Sequence, residues 1–130
     1  MDQKRSEPTS FVIKTSRGFR VSRKHNTSLV ANELLLEKII GLKNEVNGTL
    51  LDIGSGTGPF YPVFESKISS YIAIDLVIRK RGFKPTINGD AHNLPFHEKS
   101  FDTVLCTEVL EHCTHPFKVL KEIHRVPKVR

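Results

Sequence analysis

Three glycines at alternate positions, Gly54, Gly56 and Gly58, directly follow an apolar run, TLLDI, at residues 49–53. An apolar run without alternation predicts a strand that is buried on both faces of a parallel sheet. Open α/β sheets bind ligands just beyond the carboxyl ends of such strands. Glycine adopts backbone angles that other residues avoid, and it lets a ligand approach the main chain without meeting a Cβ atom. The glycines therefore indicate a ligand-binding loop, with a plain tight turn as the alternative.

Two carboxylates accompany this loop. Asp52 precedes it, and Asp75 lies at the end of a second apolar run, YIAIDL, at residues 71–76. An acid at the tip of the second strand of a nucleotide-binding sheet hydrogen-bonds the ribose hydroxyls. The glycine spacing matches neither the dinucleotide fingerprint nor a phosphate loop, which disfavours a nicotinamide-dependent oxidoreductase. A carboxylate beside the loop instead suits a ligand that carries positive charge.

Local patterns predict the elements that must position these residues. Apolar side chains recur at three- and four-residue steps over 27–43, which predicts a helix with Thr27 or Ser28 as its N-cap. The remaining predicted elements are strands at 49–53, 71–76, 86–91 and 102–107, helices at 59–68 and 117–126, and a helical turn at 108–113. Strands that alternate with crossovers predict an α/β fold in which helices pack on a parallel sheet.

Length and composition fit one soluble domain. The chain has 130 residues, of which 38% are apolar and 26% are charged. This is an ordinary globular composition, and no apolar run approaches the roughly 18 residues that a membrane span needs. The polar start lacks the apolar core of a signal peptide, so a cytoplasmic location is expected. The two cysteines do not form the framework of a disulfide-rich secreted protein.

The net charge of +6 is concentrated near the amino terminus. Residues 1–26 are predicted to form a basic, partly disordered arm with a disordered leader at 1–10, and residues 27–130 the folded domain. The arm is either solvated and mobile or a site for an anionic substrate or nucleic acid. Nucleic acid is disfavoured, because no aromatic residues alternate with the basic ones and no zinc-finger pattern is present.

Three segments of the sequence together resemble the class I S-adenosylmethionine-dependent methyltransferases. LLDIGSGTG (50–58) resembles their first motif, YIAIDL (71–76) the second, and GDAHNLPFHEKSFDTVLCTEVLEH (89–112) the next two, in the style of the type 11 group. The resemblance implies a Rossmann-like, doubly wound parallel sheet with S-adenosyl-L-methionine as the cofactor. It also implies that the methyl group passes by in-line displacement to a small-molecule or lipid-like acceptor.

The resemblance carries over to individual positions. Asp52 would lie near the ammonium group of the cofactor, Asp75 would hold its ribose hydroxyls, and Asp90 would accept a hydrogen bond from the adenine amine. Carboxylates suit all three groups, because each is a hydrogen-bond donor. The other implied cofactor-binding residues are Gly54, Ser55, Gly56, Gly58, Leu76, Ala91 and Thr107.

Catalytic candidates follow the predicted fourth strand. Glu108, Glu111 and His112 could each act as a general base if the acceptor must lose a proton, with Glu108 and His112 preferred. The alternative is that they are solvent-facing helix residues. Potential metal ligands also cluster here but match no standard zinc spacing, so no metal site is expected: Cys106, His112, Cys113 and His115. The remaining histidines, His92 among them, carry no site signal.

The family's sheet has seven strands, and this sequence offers about four. The fold is therefore expected to be incomplete at its carboxyl end. Without a fifth strand, residues 102–107 would present an open edge to which another chain could pair, in a homodimer or with a partner chain. The alternatives to an active methyltransferase are a catalytically incomplete cofactor-binding fragment and a subunit that needs such a partner.

Overall fold

The computed structural model describes residues 12–23, 28–80, 83 and 85–128. Two short 3-10 turns, at Lys43–Glu45 and Leu110–His112, accompany the main elements. In chain order these elements are β1 (Val12–Thr15), β2 (Gly18–Val21), α1 (Leu29–Gly41), β3 (Thr49–Ile53), α2 (Tyr61–Phe64), β4 (Ser70–Asp75), β5 (Thr86–Asn88), β6 (Thr103–Cys106) and α3 (Pro116–Arg125).

The last four strands form one parallel sheet in the order β5-β4-β3-β6. Central β3 is buried on both faces, as its uninterrupted apolar run predicts. The predicted α/β parallel sheet of four strands is confirmed. Because the strands are parallel, their carboxyl ends lie along one edge of the sheet, and the loops that follow them can meet there.

The two faces of the sheet pack against different elements. Leu50 joins a core cluster with residues of the hairpin, α1 and α2, whereas Leu51 and Ile53 pack with residues that include Val126, just after α3. Successive side chains of a strand point to opposite faces, so β3 alternates between the two clusters. The sheet is therefore covered on both sides, as in a doubly wound fold.

The predicted boundaries hold to within two residues except at two elements. The helix predicted over 59–68 is reduced to Tyr61–Phe64. Pro62 is tolerated in its first turn, and the chain turns directly afterwards, where the backbone N–H of Lys67 donates to the carbonyl oxygen of Phe64 at 2.8 Å. The strand predicted over 86–91 ends at Asn88. The next backbone N–H makes the last ladder bond, to the carbonyl oxygen of Asp75 at 3.0 Å, and the chain then turns at Asp90, whose carbonyl oxygen accepts from Asn93 at 3.0 Å.

An antiparallel hairpin, β1–β2, lies inside the segment predicted to be a partly disordered arm. Val12 and Val21 face each other across the hairpin, are buried, and pack in one cluster with Leu36 and Ile39 of α1. The sequence pattern did not predict this hairpin. The predicted disordered leader, residues 1–10, lies outside the described residues.

The end of α3 is tied to the loop between β5 and β6. Arg125 donates to the carbonyl oxygens of Phe96 at 2.7 Å and Leu94 at 3.2 Å. Glu122 accepts from the backbone N–H of Leu94 at 2.7 Å, and hydrogen bonds from Arg125 hold the pKa of this carboxyl below its usual value. The loop that carries Asp90 is therefore anchored just beyond that residue.

β6 is an edge strand in the described part of the chain, with β3 as its neighbour. Before it begins, Phe101 forms a parallel bridge with Pro127, and the backbone N–H of Lys128 donates to the carbonyl oxygen of Phe101 at 2.7 Å. The segment after α3 thus lies beside the entry to β6. None of the helices in the described ranges is long and apolar enough to cross a membrane.

Candidate functional site

Two adjoining cavities open at the carboxyl ends of β3, β4 and β6. The first has a volume of about 310 Å³ and the second about 320 Å³. Gly54, Gly56, Arg79 and Glu108 line both, so these four residues form the border between the cavities. A ligand with two chemically different halves could therefore occupy both spaces across the glycine loop.

The structure brings together nearly all the residues predicted for the site. Those lining the first cavity, besides the border residues, are Asp52, Ser55 and Thr107. Those lining the second are Asp75, Leu76, Asp90, Ala91 and His112. Gly58 and Glu111 line neither of these two cavities.

The three glycines of the loop all have positive φ angles, 65° at Gly54, 56° at Gly56 and 70° at Gly58. A Cβ atom at Gly54 would collide with the side chain of Val109, and one at Gly58 would lie 2.8 Å from Cβ of Phe83. At Gly56, a Cβ atom would meet no protein atom within 4 Å. Gly54 and Gly58 thus serve packing as well as conformation, while Gly56 leaves open space at the cavity border.

Asp75 connects the end of β4 to the glycine loop. One carboxylate oxygen accepts from the backbone N–H of Gly56 at 2.7 Å, and the other from Val77 at 3.0 Å. Each carboxylate oxygen has a second acceptor direction, so both remain able to bind a further donor. The acid therefore fixes the loop and still presents acceptor capacity at the second cavity.

Asp52 is a buried acid at the wall of the first cavity, with 2% of its surface exposed. The hydroxyl of Tyr71 donates to its carboxylate, and this hydrogen bond lowers the pKa of Asp52. Burial has the larger effect and raises the pKa to about 7. Burial, with the nearby Asp52 adding to it, also raises the pKa of Tyr71, which keeps the phenol protonated as a donor. Since no described cation hydrogen-bonds to Asp52, a cationic ligand group would stabilise its charged form.

Comparison with known proteins decides the family. The methyltransferase domain family of type 11 matches residues 51–129. The chain belongs to this family. The match contains the glycine loop, Asp75, Asp90 and the segment after β6, so the cavities lie within the methyltransferase domain.

Individual relatives agree with this assignment. The chain is 38% identical over 105 residues to an uncharacterized protein of Methanocaldococcus jannaschii, and the alignment covers 75% of this chain and 46% of that protein. It is 29% identical over 102 residues to demethylmenaquinone methyltransferase of Thermotoga maritima, covering 71% and 44%. A solved structure of a SAM-dependent methyltransferase from Thermotoga maritima superimposes with a TM-score of 0.56 at 29% identity, covering 72% and 46%. The chain thus spans less than half the length of these relatives.

S-adenosylmethionine is the cofactor of class I methyltransferases, and unsatisfied groups in the methyltransferase domain fit it. The hydroxyl oxygen of Ser55 is buried and has no hydrogen-bond partner among the described residues. Buried polar groups are rarely left unpaired, so this oxygen suits a ligand group in the first cavity. With the buried Asp52 and the open face of Gly56, it matches the ammonium and carboxylate of an amino-acid moiety.

Glu108 has the most constrained backbone of the candidate catalytic residues. Its φ angle is 54°, a left-handed conformation that costs a non-glycine residue about 1–3 kcal/mol. This conformation follows directly after β6 and places Glu108 at the border of both cavities. His112 lines the second cavity, and both residues are solvent-exposed. Their catalytic roles remain predictions.

Cys106 and Cys113 provide no metal centre in the described residues, where no group of three or more His, Cys, Asp or Glu side chains could hold an ion. Burial raises the pKa of the Cys106 thiol to about 11. The thiol therefore stays protonated near neutral pH.

The sequence motifs do not identify two residues of the site, Tyr71 and His92. Tyr71 lies in an apolar run and becomes the partner of Asp52 only when β3 and β4 pair. His92 lines the second cavity and hydrogen-bonds Asp90. An aspartate side chain often accepts from the backbone N–H two residues later in an Asx turn, and this local rule could have directed attention to His92.

Alanine at Gly56 and at Gly58 should have different effects. Gly56→Ala is expected to lower the affinity for S-adenosylhomocysteine at least about tenfold, because the new Cβ atom occupies open space at the border, while its φ angle costs about 1–2 kcal/mol of stability. Gly58→Ala carries the same conformational cost and also collides with Phe83, so it should destabilise the fold more. Urea unfolding and calorimetric titration of both variants measure the two effects. If the two variants lost the same affinity and had the same stability, this division of roles between Gly56 and Gly58 would be contradicted.

Proposed function

We propose that this chain binds S-adenosylmethionine and forms the cofactor-binding part of an enzyme that methylates a small-molecule or lipid-like acceptor. The observation that carries the proposal is the pair of cavities joined at Gly56 and Glu108. One is lined by a buried acid and an unpaired hydroxyl, and the other by Asp75 and Asp90. These groups match the amino-acid half and the adenosine half of the cofactor, respectively.

The roles proposed for the chain are binding and orientation. Asp52 balances the ammonium group, directly or through water, and Asp75 accepts hydrogen bonds from the ribose hydroxyls. Asp90 accepts from the adenine amine, while Leu76 and Ala91 contact the ring. The bound cofactor supplies an electrophilic methyl group on a sulfonium, and in-line displacement by the acceptor requires no nucleophile from the protein.

Glu108 and His112 are proposed to act on the acceptor. Thr107 and Glu108 lie where the first cavity meets the end of β6, at the place where an acceptor would approach the methyl group. Either Glu108 or His112 can receive a proton if the acceptor atom must lose one. This role is needed for a hydroxyl acceptor, which becomes a good nucleophile only as it loses its proton, and not for an uncharged amine nitrogen.

A second candidate function is cofactor binding without independent catalysis. It is supported by the coverage of the relatives, of which the chain spans 46% and 44%, and by β6, which is an edge strand in the described part of the chain. A copy of this chain or another chain could pair with that edge and complete the acceptor site. A cytoplasmic location and the absence of a nucleic-acid partner remain predictions from composition.

Titration of the purified chain with S-adenosylhomocysteine tests the proposed function. We expect saturable one-to-one binding by calorimetry, and at about 100 times the dissociation constant the ligand should add about 2.7 kcal/mol of stability. NADH in place of S-adenosylhomocysteine is the matched control. A folded chain that binds NADH, or that binds neither ligand, would contradict the proposal. Methyl transfer by the chain alone would separate the enzyme from the incomplete cofactor-binding unit.

A further inference from the structure

A histidine holds Asp90, an acid that lines the second cavity. One carboxylate oxygen of Asp90, Oδ1, accepts from the backbone N–H of His92 at 2.9 Å and lies 2.7 Å from its ring nitrogen Nδ1. Since Oδ1 of an ionised carboxylate only accepts hydrogen bonds, Nδ1 must carry the proton. The ring and the backbone of one residue therefore clamp a single oxygen.

The opposite side of the same ring faces the start of α3. The backbone N–H of His115 donates to Nε2 of His92 at 3.3 Å, and His115 is the N-cap of that helix. One tautomer of the ring, with the proton on Nδ1, satisfies both of these hydrogen bonds. Its orientation is thus fixed from both sides.

The second oxygen of Asp90 is left for a ligand. Among the described residues, Oδ2 accepts no hydrogen bond, although Asp90 and His92 both line the cavity. The hydrogen bonds from His92 also hold the pKa of Asp90 below its usual value, so the carboxylate stays ionised near neutral pH. An exposed aspartate would otherwise turn freely between rotamers, and the clamp removes that freedom.

We infer that His92 is a positioning residue that fixes Asp90 as the acceptor for the exocyclic amine of adenine, and that it joins this contact to the first turn of α3. The inference rests on the proposed function, because it takes the adenosine half of the cofactor to occupy the second cavity. It assigns His92 to adenine selectivity rather than to affinity for nucleosides in general.

Two ligands that differ at one group test this role. S-adenosylhomocysteine carries the exocyclic amine, and S-inosylhomocysteine carries a carbonyl oxygen at that position. The wild-type chain should prefer the adenosyl ligand by at least about tenfold, since hydrogen bonds to charged groups have this strength and the carbonyl would face a carboxylate. His92→Leu should reduce this preference severalfold while changing the affinity for the inosyl ligand little.

Two further variants separate positioning from general structural damage. His92→Asn keeps a side-chain donor for Asp90, although its shorter side chain does not extend to the backbone N–H of His115, so it should restore most of the selectivity. His97→Leu is the matched control, since His97 is an exposed histidine of the same loop and uses its backbone carbonyl for its hydrogen bond. We expect this variant to keep the wild-type selectivity.

The outcomes distinguish this inference from the proposed function. If both ligands bind but His92→Leu keeps the full preference, the role of His92 is overturned and the proposed function stands. If neither ligand binds the folded wild-type chain, the proposed function fails and the inference with it. Should His92→Leu not fold, ¹⁵N spectra of the wild-type histidines decide. A proton on Nδ1 of His92 supports the clamp, and a proton on Nε2 alone overturns it.

Discussion

Asp75→Ala is expected to lower the affinity of the chain for S-adenosylhomocysteine about 100-fold or more, as measured by calorimetry. The variant removes the acceptors proposed for the ribose hydroxyls. It also frees the backbone N–H groups of Gly56 and Val77, which the carboxylate oxygens now accept at 2.7 Å and 3.0 Å. The loss therefore combines missing ligand contacts with a loosened glycine loop.

A matched control is Glu37→Ala, which removes an exposed acid of α1 outside both cavities. It changes the net charge of the chain by the same amount and should leave the affinity unaltered. Asp75→Asn is the intermediate case, because its one remaining oxygen can hold one of the two backbone groups. Wild-type affinity in a folded Asp75→Ala variant would show that this acid does not contact the ligand.

Asp52 should make a contribution to the free energy of unfolding of the unliganded chain that decreases as pH rises. Burial raises the pKa of this acid from 3.8 to about 7, so between these values the folded chain binds its proton more tightly than the unfolded chain does. The contribution is fully present below pH 3.8 and is lost as pH rises through about 7. Its size is on the order of 4 kcal/mol, because the pKa shift is about three units and each unit is worth about 1.4 kcal/mol.

Urea unfolding of the wild type and of Asp52→Asn over this pH range isolates the term, because the other carboxyls are common to both chains. The stability advantage of the wild type over the variant should shrink steadily from about pH 4 to pH 7.5. Tyr71→Phe removes the hydrogen bond that lowers the pKa of Asp52. The stability of this variant should therefore continue to fall to a higher pH than the stability of the wild type does. Parallel curves for wild type and Asp52→Asn would refute the prediction.

The strands of the sheet could be predicted from sequence because their burial leaves a simple pattern. TLLDI is apolar on both faces, and the chain buries it on both faces. The β1–β2 hairpin could not be predicted in this way. Each of its strands has four residues. Each contains one buried valine, Val12 or Val21, and one exposed basic residue, Lys14 or Arg20. A two-residue period cannot be recognised over so short a run.

The residues of the candidate site also fall into those that the sequence predicts and those that it does not. The glycines and Asp75 are adjacent to strand ends in sequence, so the sheet alone places them at one edge. The partner of Asp52, and the contact that fixes His92 beside Asp90, depend on approaches made only in the folded chain. Tyr71 approaches Asp52 because β4 pairs with β3, and His92 is held on its far side by His115, which the preceding loop brings into reach.

The bridge between Phe101 and Pro127 has a kinetic consequence for whatever backbone lies along β6. Pairing of a new strand normally begins with a costly closure that brings two segments into contact and selects their register. Here Pro127 is already aligned with Phe101 in the parallel direction, and Lys128 donates the next hydrogen bond. The edge therefore holds a nucleus whose polarity and register are set. A backbone that adds to β6 must either continue the pairing that begins at Phe101 and Pro127 or displace that pairing first.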